Sequence, residues 1–257
     1  MAWKRLPRRL RHGEEATVVE HLDELRTRLF ISLGVVVPAF LLAFAFHGTL
    51  IEWLTEPLPD DKDQLLALGV TEAFFTSVKV SMYAALALSL PVILYQVWSF
   101  LAPAFEEHVQ RVVAVFVAIA TGLFACGVAF GYFIVLPAAL SFLVDYDSEH
   151  FDTQIRASYY LSFAALTLLA IGLVFELPIW ILALVRLRVL TSDRLRRNRR
   201  VGYVLAIALA ILLPTVDPVS LAFEAIPVVI LFEVSIWLAV FMERRWETAW
   251  DESLESP

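Results

Sequence analysis

Long apolar stretches separated by short polar ones divide the chain. They cover about Leu29–Ile51, Ala73–Val97, Val112–Leu136, Ala157–Val185, Val201–Val216 and Val219–Met242. A helix needs about 20 apolar residues to cross a hydrocarbon core roughly 30 Å thick. The fifth stretch, residues 201–216, supplies a rod of only about 24 Å. The pattern predicts an all-α integral membrane protein, residues 1–257 forming one membrane domain of six spans. Pro38 and Pro91 are expected to kink spans one and two, and Pro137 to end span three. Ahead of the first span, Thr17–Phe30 reads as an amphipathic surface helix. Thr17 and Glu20 form a capping-box pair, and Leu22, Leu25 and Leu29 share one stripe. The polar tail, residues 243–257, is expected to be irregular.

Composition narrows the class. Of 257 residues, 60% are hydrophobic and the mean hydropathy is +0.73, more apolar surface than a soluble domain of this size can bury. A single cysteine, Cys126, excludes disulfides and cysteine metal sites. No nucleophile–base pair, zinc spacing or phosphate loop is present, and the five histidines are scattered. The sequence therefore gives no catalytic residues, no metal and no cofactor, and the formal net charge of −7 gives no reason to expect nucleic acid. What matters is where the cations lie. Of the 20 Lys and Arg, only Lys62, Lys79 and Arg156 fall on the side opposite both termini, and seven arginines crowd Arg186–Arg200. The bias predicts both termini in the cytoplasm. The arginine loop is read mainly as a topology signal and a contact for anionic lipid.

One residue breaks the apolar pattern deeply. Glu176 lies in LLAIGLVFELPI, near mid-depth of span four, between Gly172 and Pro178. A carboxylate there is costly and marks either a structural acid bonded to a neighbouring helix or a polar site facing a cavity. Glu233, near the middle of span six, is read first as a packing contact, and Glu24 could simply pair with Arg28 one turn on. Trp98 and Phe100 suit interfacial anchors.

Three stretches together carry a resemblance: His21–Leu29 (HLDELRTRL), Leu90–Pro103 (LPVILYQVWSFLAP) and Phe175–Pro178 (FELP). With Tyr132-Phe133, Ala157–Phe163 (ASYYLSF) and Leu231–Glu233 (LFE), they resemble the TatC family of twin-arginine translocase subunits over nearly the whole chain. The resemblance implies six helices in a proline-kinked, concave bundle in a prokaryotic plasma membrane. It also implies a receptor for Arg-Arg signal peptides of folded cargo, working in an oligomeric complex with TatA-like and TatB-like single-span proteins. Carried over by position, Glu24, Arg26, Phe100 and Pro103 belong to the signal-peptide surface, and Glu176 to the concave interior. The family's second acidic contact falls on Val109, leaving Glu106 or Glu107 to replace it, and the polar residue that often follows the span-five turn is Leu221. The short fifth span predicts a thinned bilayer and a partner helix docked beside spans five and six, at positions such as Leu205 and Val234 with Glu233 near. The rival from another class is a proton-coupled small-solute carrier using Glu176 and Glu233 as a relay.

Overall fold

A computed structural model describes residues 18–59, 65–101, 113–146, 150, 154–212 and 218–255. Pro103, Glu106, Glu107 and Val109 lie outside these, as do Thr17 and residues 213–217. The described residues are almost wholly helical. Among the described residues, five helical runs are long and apolar enough to cross a membrane by length and composition: His21–Ala45, Glu72–Leu101, Ala114–Asp145, Ala157–Arg186 and Pro218–Glu243.

The surface helix and first span form one rod, α1 (Val18–Ala45), which passes Pro38 without a break. The interruption comes at Phe46, after which α2 (His47–Thr55) converts part of the expected polar loop into helix. Span two is α3 (Glu72–Leu101), likewise continuous through Pro91. It is the central post, packed on by α1, by α4 (Val113–Phe130) and by α6 (Ala157–Val174). By contrast α1 touches little besides α3, so Leu29, Phe30, Val37, Leu41 and Leu42 stay exposed to the surroundings. In a membrane that is no defect, because lipid tails are as apolar as leucine.

Span three corrects an expectation. It does not stop at Pro137 but continues as α5 (Leu136–Asp145). A π turn at Gly131–Val135 comes first, with the Leu136 N–H bonded five residues back to the Gly131 carbonyl. The wider turn makes room for the proline ring, and Pro137 then sits in the first turn of α5, where its missing N–H costs nothing. Span four, expected as one rod, breaks at Phe175–Glu176 into α6 and α7 (Leu177–Arg186), with Pro178 again in a first turn.

Beyond α7 the chain reverses through a Schellman turn. Val189 N–H bonds to the Leu184 carbonyl at 3.0 Å and Arg188 N–H to that of Val185 at 3.0 Å, with Arg188 in the left-handed region at φ 57°. The short α8 (Ser192–Arg197) and α9 (Arg199–Ile211) follow. At 13 residues α9 is shorter than the span expected there, about 20 Å of rod. The last helix, α10 (Pro218–Glu255), packs on α7, α8 and α9 and runs on through most of the tail expected to be irregular.

Candidate functional site

Four polar regions stand out among the described residues. At the end of the molecule near Arg186, the start of α1 lies against the finish of α3. Glu24 receives Arg28 on one carboxylate oxygen, from Nη2 at 2.5 Å and Nε at 3.0 Å. The Arg28 guanidinium also reaches Gln96 Oε1 at 3.3 Å and the Ser99 carbonyl at 3.1 Å. One turn before Glu24, His21 stacks on Phe100 with ring centroids 4.3 Å apart. Arg26 points away, over the Phe30 ring at 5.7 Å, and is exposed. Glu24, Phe100 and Arg28 are thus brought onto one surface. The i,i+4 pair is formed, and it leaves the Glu24 side chain 17% exposed. Trp98 is no surface anchor: it is buried and stacks between Phe116 and Trp180.

Within the Ala157–Arg186 run, Glu176 occupies the residue before α7. Its carbonyl accepts Ile179 N–H at 3.0 Å and Trp180 N–H at 3.2 Å. Its side chain is 1% exposed, and among the described residues neither carboxylate oxygen has a hydrogen-bond partner. The bonded structural acid is therefore not what stands here. Gly172 leaves no empty room beside it either. A Cβ on Gly172 would lie 2.5 Å from the Phe124 ring, and one on Gly127 would lie 2.9 Å from Gly172 Cα. The two glycines let α4 and α6 approach closely, a small-residue contact of the kind membrane helices favour. A nearby crevice of 10 Å³, room for about one water, is lined by Phe130, Ile171, Phe175 and Glu224 among others, without Glu176.

On α10, Glu233 accepts a hydrogen bond from the Tyr203 hydroxyl and lies 3.6 Å from Arg199 Nη2. It ties α9 to α10 as a packing contact. Among the described residues no hydrogen bond or ion pair joins it to Glu176, so the carrier relay is not assembled. Leu205 and Val234 are exposed on α9 and α10.

The fourth region was not singled out from sequence. At the opposite end Glu72 collects four groups: Arg156 bidentately at 2.7 and 3.1 Å, Ser158 Oγ at 2.5 Å, and the Leu68 and Gly69 N–H groups at 2.9 and 3.1 Å. The Glu72 carboxylate in turn holds the Arg156 guanidinium protonated beyond its ordinary range. Leu66 and Arg156 form a parallel bridge. Tyr132 donates to the Trp53 carbonyl and to Glu56, each at 3.0 Å, and Tyr160 to the Leu54 carbonyl at 2.6 Å. Arg156 was visible as an exception to the cation bias, and an exception held at a helix start is a signal that a carboxylate waits for it.

Comparisons with known proteins bear on the family and the fold. The family described as "TatC: Sec-independent protein translocase protein (TatC)" matches residues 20–227. The chain is 35% identical over 232 residues to "Sec-independent protein translocase protein TatCd" of Bacillus subtilis, covering 90% of this chain and 95% of that protein. It is 34% identical over 227 residues to the TatC protein of Escherichia coli, covering 87% and 88%. A crystal structure described as twin arginine translocase receptor TatC, in the detergent DDM, superposes with TM-score 0.77 at 33% identity, over 85% of this chain and 99% of that one.

Proposed function

The chain belongs to the TatC family of Sec-independent protein translocase proteins, and from that premise we propose that it is the signal-peptide receptor of a twin-arginine export system. The observation that supports this most is the α1–α3 surface, where Glu24 and Phe100 stand together on a frame built by Arg28, Gln96 and Ser99. A carboxylate accepts a guanidinium bidentately, and partial burial at the membrane surface strengthens the bond. Arg28 already takes one Glu24 oxygen, so an incoming arginine adds to that pair or displaces Arg28. Arg26, Pro103, Glu106 and Glu107 complete the proposed surface, the last three from outside the described residues.

In this reading the Arg186 end faces the cytoplasm with both termini, and α9 crosses as a short sixth span. Single-span TatA-like and TatB-like partners dock beside α9 and α10, at Leu205 and Val234, where the bilayer must thin to meet a helix of about 20 Å. Glu176 serves translocation from the bundle interior after the signal has been captured at the surface.

The test is capture of an Arg-Arg signal peptide by the purified protein. A charge-assisted bond contributes about 1.5–3 kcal/mol, so Glu24→Ala is expected to weaken capture tenfold or more. A Lys-Lys peptide should bind the parent less well, since lysine lacks the fork. Unchanged affinity in Glu24→Ala would move the recognition site elsewhere. Orientation is checked by cysteines at Val70 and Asp193. An impermeant thiol reagent applied outside intact cells should label the first and spare the second, and the reverse would overturn the assignment.

A further inference from the structure

We propose that α8 and the first turn of α9 form a binding site for an acidic phospholipid, with the headgroup on Arg196, Arg197 and Arg200 and the acyl chains along one stripe of α9. The arginines are exposed, and among the described residues none of the three has an ion-pair partner. Asp193, the acid on α8, sits in its first turn, where the helix dipole favours it, and makes no ion pair with them among the described residues. Arg199 is excluded from the site because it turns inward to Glu233.

Two contacts fix the platform. Leu195 inserts between α7 and α10, against Ile181, Phe232 and Ile236 on one side and Leu182, Val185 and Ala239 on the other. The first N–H of α8, from Ser192, is bonded to Glu243 on α10 at 3.0 Å. With its apolar foot planted, α8 turns its arginines outward at the boundary of the apolar bundle.

The stripe supplies the second half of the site. Arg200, Val204, Ile207 and Ile211 are spaced 4, 3 and 4 apart and so share one face of α9. Val204, Ile207 and Ile211 are 66%, 44% and 59% exposed. Side chains on a helix lean toward its N-terminus, so Arg200 reaches toward the headgroup layer while its stem continues the apolar column. An inorganic phosphate would satisfy the arginines and leave the stripe unused. A phospholipid satisfies both. The shortness of α9 brings the headgroups down to the arginines, and the stripe lies beside Leu205 without including it.

Native mass spectrometry of the detergent-purified protein, with cardiolipin, phosphatidylglycerol or phosphatidylcholine added, tests this. The parent is expected to retain cardiolipin and phosphatidylglycerol over phosphatidylcholine, and millimolar inorganic phosphate should not displace them. Arg196→Gln/Arg197→Gln/Arg200→Gln should lose retention by about fivefold per arginine, roughly a hundredfold in all. Lys79→Gln, near the other end, should lose none. Equal retention of the three lipids by the parent, a measurement needing no variant, would overturn the proposal. So would unchanged retention in the triple variant, or displacement by inorganic phosphate. Signal-peptide capture, measured in lipid-free detergent, reports separately on the α1–α3 surface.

Discussion

The two buried carboxylates on helix boundaries, Glu72 and Glu176, have opposite surroundings. Glu72 opens α3 with its charge answered from four groups on two segments of chain. Glu176 precedes α7 with no hydrogen-bond partner for its side chain among the described residues. A buried charge is retained cheaply only when its partners are in place. Glu72 therefore reads as architecture: it clamps the segment at 65–71 onto the start of α6 and fixes the Arg156 end as a unit with α2 and the π turn. The Glu176 side chain makes no such clamp among the described residues, and an ionisable group buried without one is the kind that marks a functional-site hypothesis.

Mutations can break this contrast. The largest effect is expected for Arg156→Ala, which strands the Glu72 carboxylate; a melting curve in detergent should fall by roughly 5 °C or more. Next comes Gly172→Ala, whose new methyl collides with the Phe124 ring at 2.5 Å; overpacking of this kind costs about 1–3 kcal/mol, visible in the same curve. Tyr160→Phe removes one buried hydrogen bond, to the Leu54 carbonyl, and should cost about 1 kcal/mol. The smallest effect on stability is expected for Glu176→Gln, since no protein partner is lost. Its melting temperature should match or exceed that of the parent, while export of an Arg-Arg cargo falls and signal capture persists. A melting loss in Glu176→Gln as deep as that of Arg156→Ala would erase the distinction between the two acids.

How much of this was legible in the sequence follows from what each signal measures. Apolar length locates membrane helices well, because the cost of burying backbone and charge in lipid acts on every residue. Five of the six apolar stretches overlap helices that are long and apolar enough to cross a membrane among the described residues; the fifth stretch does not. Proline was the weaker guide. Pro38 and Pro91 sit inside unbroken helices, and Pro137 and Pro178 sit in first turns, so the interruptions fall just ahead of them, at the π turn and at Glu176. A proline shows that the backbone must adjust, without saying which neighbouring residue will do so. The α1–α3 juxtaposition was accessible only through family resemblance, since Glu24 and Phe100 are far apart in sequence and share no periodicity. The hydrogen bonds of Tyr132, Tyr160 and Tyr203 were not legible in the sequence because their partners are backbone carbonyls and acids on other helices.

The π turn at Gly131–Val135 has a consequence for the phase of span three. Each residue of an α-helix advances the winding by about 100°, so the extra residue held in the wide turn resets the angular position of all that follows it. Leu136, Ala139, Leu140 and Val144 face the core because of that reset. Had the same residues wound regularly from Val113, this stripe would point about 100° away, with part of it turned to lipid. The two halves of the span thus keep independent bearings, one set by the contacts of α4 with α3 and α6, the other by the Tyr132 and Tyr160 network. Span three behaves as two short rods joined by a fixed-angle coupling.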